Sequence, residues 1–282
     1  MKAHTLTVAA PIGVRRPVPV ALGCIVALTI VAWAVLLAEA WRRESGIAAF
    51  LEAVCSPAAI REARSVLEGI ARLGVSAGLW IAMSVAMMLP TASAFLISYA
   101  EIAEERELAG ERVVSPAVPA LGYLAVWAGV SVVAALAQAL LGAALSTVAL
   151  PTAATTILAG AALGAVGLYQ FSPTKLGCLT RFREPSLLLR ERWSNRPSDA
   201  LRLGVDEGGR CFHACWGLML VMVAVGAMNL IWMALFSVLI AAEKLSGSAR
   251  FAKTIGAVLL VAGTALSVSA VGPARLLMVL GF

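Results

Sequence analysis

Charge is scarce in this sequence. Only 13% of its 282 residues are Asp, Glu, Lys or Arg, 61% are hydrophobic, and the mean hydropathy is +0.91. Soluble domains run near half apolar and a quarter charged, so the composition excludes an ordinary soluble domain and points to an integral membrane protein. Histidine is nearly missing as well, with His213 the only one away from the N-terminus. No Ser/His/Asp triad, HExxH, P-loop or GxGxxG in strand–helix context is visible, which removes the support for hydrolase and nucleotide-driven chemistry. Cysteine is sparse and odd in number: Cys24, Cys55, Cys178, Cys211 and Cys215 form no secreted disulfide framework and read as free thiols or ligands. The runs lack the ten-residue alternation of a β-barrel, and no repeat of 20 to 50 residues appears. A net charge of +6 fits basic loops facing anionic lipid, and no nucleic-acid partner is expected.

What is abundant is uncharged length. Stretches free of Asp, Glu, Lys and Arg run over Pro17–Ala38, Leu73–Ala100, Val113–Leu168, Cys211–Ala242 and Thr254–Ala274. The third is long enough for two spans, and each of the others reaches the roughly 20 residues that cross a hydrocarbon core. The expected fold is an all-α polytopic transmembrane bundle of about six spans: a cytoplasmic segment over residues 1–16, then one helical domain over 17–282. Pro17–Ala38 could be a signal peptide, since Arg15 and Arg16 precede it and Ala38-Glu39-Ala40 resembles a cleavage site, but its length favours a retained anchor. With six spans, 14 Lys and Arg fall on the side of the N-terminus and the Arg-rich loop Lys175–Arg210, and 8 on the other. The positive-inside rule then predicts a bacterial inner-membrane protein with both termini cytoplasmic. In the first loop "IREARSVLEGIARL" spaces Ile60, Val66, Leu67, Ile70 and Leu73 as an interfacial amphipathic helix.

Soft donor atoms gather on two of the spans. At 100° per residue, Cys211, Cys215, Met219, Met222, Gly226, Asn229, Met233 and Ser237 share one face of the stretch beginning at Cys211. Asn229 in hydrocarbon would leave its amide unpaired, so that face should be the bundle interior. Thiolates and thioethers suit Cu(I), zinc or iron–sulfur centres, while Met and Cys also fill gaps in ordinary cores. His213 lies off the face of a regular helix and joins the two cysteines only if the backbone there is not yet helical. The second span repeats the pattern, with Trp80, Met83 and Met87 on one side and Pro90 predicting a kink whose freed backbone Thr91 or Ser93 can satisfy. Pro173 stops the fourth span after Tyr169 and Gln170, with Lys175 and Cys178 following, and Cys178 could bring a third thiol to Cys211 and Cys215. Glu243 and Lys244 read as an interfacial anchor at the opposite face.

The ordered blocks "AMMLP", "SYAEIA", "GLYQFSPTKLGCLTRFREP", Gly208-Gly209-x-Cys211-x3-Cys215-Trp216-x2-Met219, "GAMNLIWM" and "EK", over roughly Gly74 to Lys244, resemble the bacterial membrane proteins of domain of unknown function 2182. Those are described as predicted metal-binding integral membrane proteins. The resemblance implies a polytopic helical fold and a metal-related role for Met87, Met88, Tyr169, Gln170, Lys175, Cys178, Cys211, Cys215, Met219 and Asn229. One departure is that Ala214 precedes Cys215 where the family pattern often has a second cysteine, with His213 one place earlier. The leading expectation is a membrane-embedded transition-metal-binding protein, copper favoured over iron or zinc, serving redox chemistry or metal delivery. Its expected partners are membrane lipid and other membrane, periplasmic or cytoplasmic subunits. A transporter and an accessory subunit of a larger complex are the competing classes.

Overall fold

The computed structural model of the chain describes residues 17–42, 66–147, 151–182, 185–226, 230–246 and 248–271. These fold into a helical membrane bundle: α1 (Pro17–Arg42), α2 (Val66–Met88), a 3-10 turn (Pro90–Ala92), α3 (Ser93–Leu108), α4 (Ala117–Thr147), α5 (Thr152–Tyr169), α6 (Pro173–Arg181), α7 (Pro185–Glu191), α8 (Pro197–Gly226), α9 (Leu230–Ser246) and α10 (Ala249–Val271). Four helices are long and apolar enough to cross a membrane, over Pro17–Glu39, Gly69–Met88, Ala117–Ala144 and Ala249–Ala270. A fifth span results if α5 and α6, bent by 56° at their junction, count as one.

Three differences from the sequence reading matter for the site. The first is that Val66–Leu73, expected in a separate interfacial helix, are the opening turns of α2, continuous with the span; residues 43–65 of that loop lie outside the described residues. The second is the kink, which Pro90 turns into a full break. Pro90 cannot donate a backbone hydrogen bond, so α2 gives way to the 3-10 turn, where Ala92 N donates to Leu89 O at 3.1 Å, and α3 starts afresh at Ser93. As expected, a hydroxyl steps in: Thr91 Oγ1 donates to the Met88 carbonyl at 2.8 Å.

The third difference concerns the stretch beginning at Cys211, read as one span. Its polar lead-in and first half form α8, which ends at Gly226, and the remainder forms α9. Lys244, near the end of α9, touches Cys211 in the middle of α8, so α9 folds back antiparallel to α8. Glu243 and Lys244 therefore return to the level of the cysteines and do not mark an opposite face. Length carried this signal: the 32 uncharged residues of Cys211–Ala242 would make a helix of about 48 Å, against a hydrocarbon core of about 30 Å. Asn229 lies outside the described residues.

Two seams of small residues draw backbones together. On α4 and α8, a Cβ on Gly204 would run into the Pro119 carbonyl, and one on Gly122 into the Leu201 carbonyl. On α5 and α10, a Cβ on Gly263 would stand 2.5 Å from Gly160 O and 2.8 Å from Gly164 N, and one on Gly256 2.9 Å from Gly167 O. Residue 160 meets 263 while 167 meets 256, so α5 and α10 are antiparallel. The close packing expected at Gly160-x3-Gly164 is thus made against α10, as small-xxx-small spacing allows. Between α2 and α4 the ties are polar: Trp80 Nε1 donates to Gln138 Oε1 at 2.9 Å, and the Ser84 and Ser131 hydroxyls pair at 3.0 Å. Aliphatic side chains such as Val31 on α1 and Leu140 on α4 point outward, exposed, as a lipid-facing surface requires.

Candidate metal centre

The sulfur-rich face of α8 does look inward. Cys211, Cys215, Met219 and Met222 are all buried, as are Met83, Met87 and Met88 on α2 and Met233 on α9. The i, i+4 spacing of Cys211 and Cys215 aligns them along one face, and the Cys215 thiol donates to the Cys211 carbonyl at 2.9 Å. Its Sγ also stands 3.8 Å from Met88 Sδ. Three sulfurs thus converge from α8 and from the last turn of α2.

Met88 is held there by the break beside it. Its carbonyl accepts from Tyr123 Oη at 2.9 Å as well as from Thr91. Tyr123, buried on α4, also reaches Cys211 Sγ at 3.1 Å. Lys244 completes the cluster: Nζ donates to Cys211 Sγ at 2.8 Å and to Thr91 Oγ1 at 2.8 Å, and stands 4.9 Å from the centroid of the Phe182 ring. A second buried cation, Lys175 on α6, pairs with Glu243 Oε2 at 2.9 Å, both side chains about 2% exposed or less. Among the described residues the other oxygen of Glu243 and both amide atoms of buried Gln170 have no hydrogen-bond partner.

The other expected residues sit apart. His213 belongs to the regular helix α8, with its side chain exposed and its ring edge-on to Phe212, so the helix carries it away from the cysteine face. Tyr169 donates to the His213 carbonyl at 2.6 Å and packs on Trp216, which ties the end of α5 to α8. Cys178 is half-buried in a separate small cluster with Leu179, Ala214 and Ala252. Sequence reasoning missed Tyr123, the bond from Lys244 to Thr91 and the inward placement of Glu243 and Lys244. The available signal was two adjacent charges ending an otherwise uncharged run that is too long for one span.

The donor chemistry is specific. Among the described residues no three His, Cys, Asp or Glu side chains come together in a way that could hold a metal ion, so two thiols completed by a thioether are the set on offer. Such a set is soft throughout, which suits Cu(I) and leaves hard cations unserved. Neither the curated proteins nor the solved structures contain a match to this chain. The model of a family described as copper chaperone, PpoB2, matches residues 77–266, from the middle of α2 into α10 and across every residue of the sulfur cluster. The chain belongs to this copper chaperone family.

Proposed function

We propose that this protein is a membrane-embedded copper chaperone that holds Cu(I) between Cys211, Cys215 and Met88 and passes it to a partner protein. The observation that carries the reading is the approach of Cys215 Sγ to Met88 Sδ at 3.8 Å beside Cys211. Metal–sulfur bonds of ~2.3 Å put two sulfurs on one ion about 4 Å apart, so little rearrangement is needed to share it. Met87, Met219 and Met222 line the same buried region as further thioethers. Delivery is preferred to a redox or transport role because the family is described as copper chaperone and because Gln138, a polar residue on the apolar α4 that could otherwise mark a substrate path, is tied to Trp80.

The setting is the bacterial inner membrane, with the Arg-rich loop cytoplasmic by the positive-inside rule. Because α9 turns back on α8 and α10 runs antiparallel to α5, the Val271 end of α10 then lies on the other side from that loop. On this proposal the Val271 end of α10 differs from the sequence expectation that both termini face the cytoplasm.

Copper analysis of detergent-purified protein, prepared without chelator, tests the reading. Wild-type protein should carry copper, Cys211→Ser and Cys215→Ser should lose it, and Met88→Leu should weaken binding by about tenfold or more. Full copper in the double cysteine variant would refute the site. Wild-type protein without copper under those conditions would refute the function.

A further inference from the structure

The cluster contains more charge than a sulfur site needs. Lys244 is 5% exposed, and among the described residues its ammonium forms no ion pair with a carboxylate; it is directed at Cys211 Sγ and Thr91 Oγ1. A buried charge is costly unless compensated, so the ammonium has to belong to the electrostatic design of the site. The other charges close by are already matched. Lys175 is paired with Glu243 at 2.9 Å, and Glu207, one turn before Cys211, with Arg210 at 2.8 Å.

Resting on the reading that the two cysteines and Met88 hold copper, we infer that Lys244 is a specificity-determining residue that tunes this centre to a monovalent metal ion. Coordinating thiols bind as thiolates. Two thiolates contribute two negative charges, Lys244 one positive, and the paired groups and Met88 none, which leaves one negative charge at the centre. Cu(I) brings it to neutrality. Zn(II) or Cu(II) leaves one positive charge without a partner in a low-dielectric interior, where such an excess weighs far more than in water. The thioether adds softness, but Zn(II) also accepts thiolates, so ligand type alone does not separate the two metals. The ammonium does.

The test is competition between Cu(I) and Zn(II), under reducing conditions, for the full-length protein in detergent. Lys244→Met removes the positive charge and makes the divalent complex the neutral one, so the ratio of Cu(I) to Zn(II) affinity should fall by about a hundredfold. Lys244→Arg should keep the wild-type preference. Glu243→Gln, which leaves Lys175 unmatched, should weaken both metals and zinc more, moving the ratio the opposite way. Opposite shifts in K244M and E243Q are the expected result, and a residue that only shapes the fold would not produce them. If K244M does not fold, E243Q against wild type and K244R decides: a raised ratio supports the inference and an unchanged one overturns it. Copper bound through the cysteines with a ratio insensitive to these charges would overturn the role of Lys244 and leave the chaperone reading standing. Wild-type protein that takes up no Cu(I) would overturn both.

Discussion

The seam between α5 and α10 and the hub where α8, α9 and the end of α2 meet solve the same problem with opposite materials. At the seam, Gly160, Gly167, Gly256 and Gly263 let one backbone lie on another, and Ser267 beside them turns its hydroxyl back to the Gly263 carbonyl at 2.9 Å. At the hub, helices meet through Lys244 on Cys211, Lys175 on Glu243 and Tyr123 on Met88. Apolar helices gain no hydrophobic driving force from leaving lipid, so close packing and buried polar bonds are the two means available. The seam confers proximity with no chemistry. The hub accepts the cost of desolvating charge and brings two thiols, a thioether and an ammonium together.

Stability measurements can sharpen this contrast. The largest effect is expected at the hub: Lys175→Met strands the Glu243 carboxylate in the interior, and breaking one side of a buried pair costs about 3–5 kcal/mol. The double variant Lys175→Met/Glu243→Leu should recover much of that loss in denaturant unfolding. Equal losses for single and double variants would show that the pair contributes nothing as a pair. At the seam, Gly263→Leu forces a side chain against the backbone of α5 and should cost about 1–3 kcal/mol, while copper content per folded molecule stays at the wild-type value. Loss of copper in folded G263L would erase the division of labour between the regions. The smallest effect belongs to the neutral tie between α2 and α4. Trp80→Phe removes the bond to Gln138 and should lower stability by about 0.6 kcal/mol, and a loss above about 2 kcal/mol would place this contact with the charged ties instead.

Much of the molecule could be read from the chain because hydrophobic length and helical period leave direct traces. The apolar runs, a kink at Pro90, the hydroxyl of Thr91 and the inward face carrying Cys211, Cys215 and Met222 all follow from local rules. The reversal between α8 and α9 left only a run too long for one span, since apolar residues on either side of a turn look the same as those within a helix. Lys244 was misplaced for the same reason: its nearness to Cys211, 33 positions away, exists only once the chain has turned back. Met88 is the converse case. The family pattern singled it out, but its aim at Cys215 depends on where the 3-10 turn halts α2, which the helical wheel of the second span does not contain.

Complete burial of the sulfur cluster has a kinetic meaning. Cys211 and Met88 expose none of their surface and Cys215 only 1%, so an ion there has no line of approach for a competing ligand while the helices are closed. For Cu(I) held as proposed, the residence time would be set by how often the helices around the cluster part, a motion of the microsecond-to-second class, and not by the strength of the competitor. Removal by a soluble chelator should therefore reach a ceiling as chelator concentration rises. If the protein delivers Cu(I) as proposed, an acceptor that docks where Lys244 is seated and holds the hairpin open would exceed that ceiling, and the bundle would act as a time lock that selects its recipient by rate.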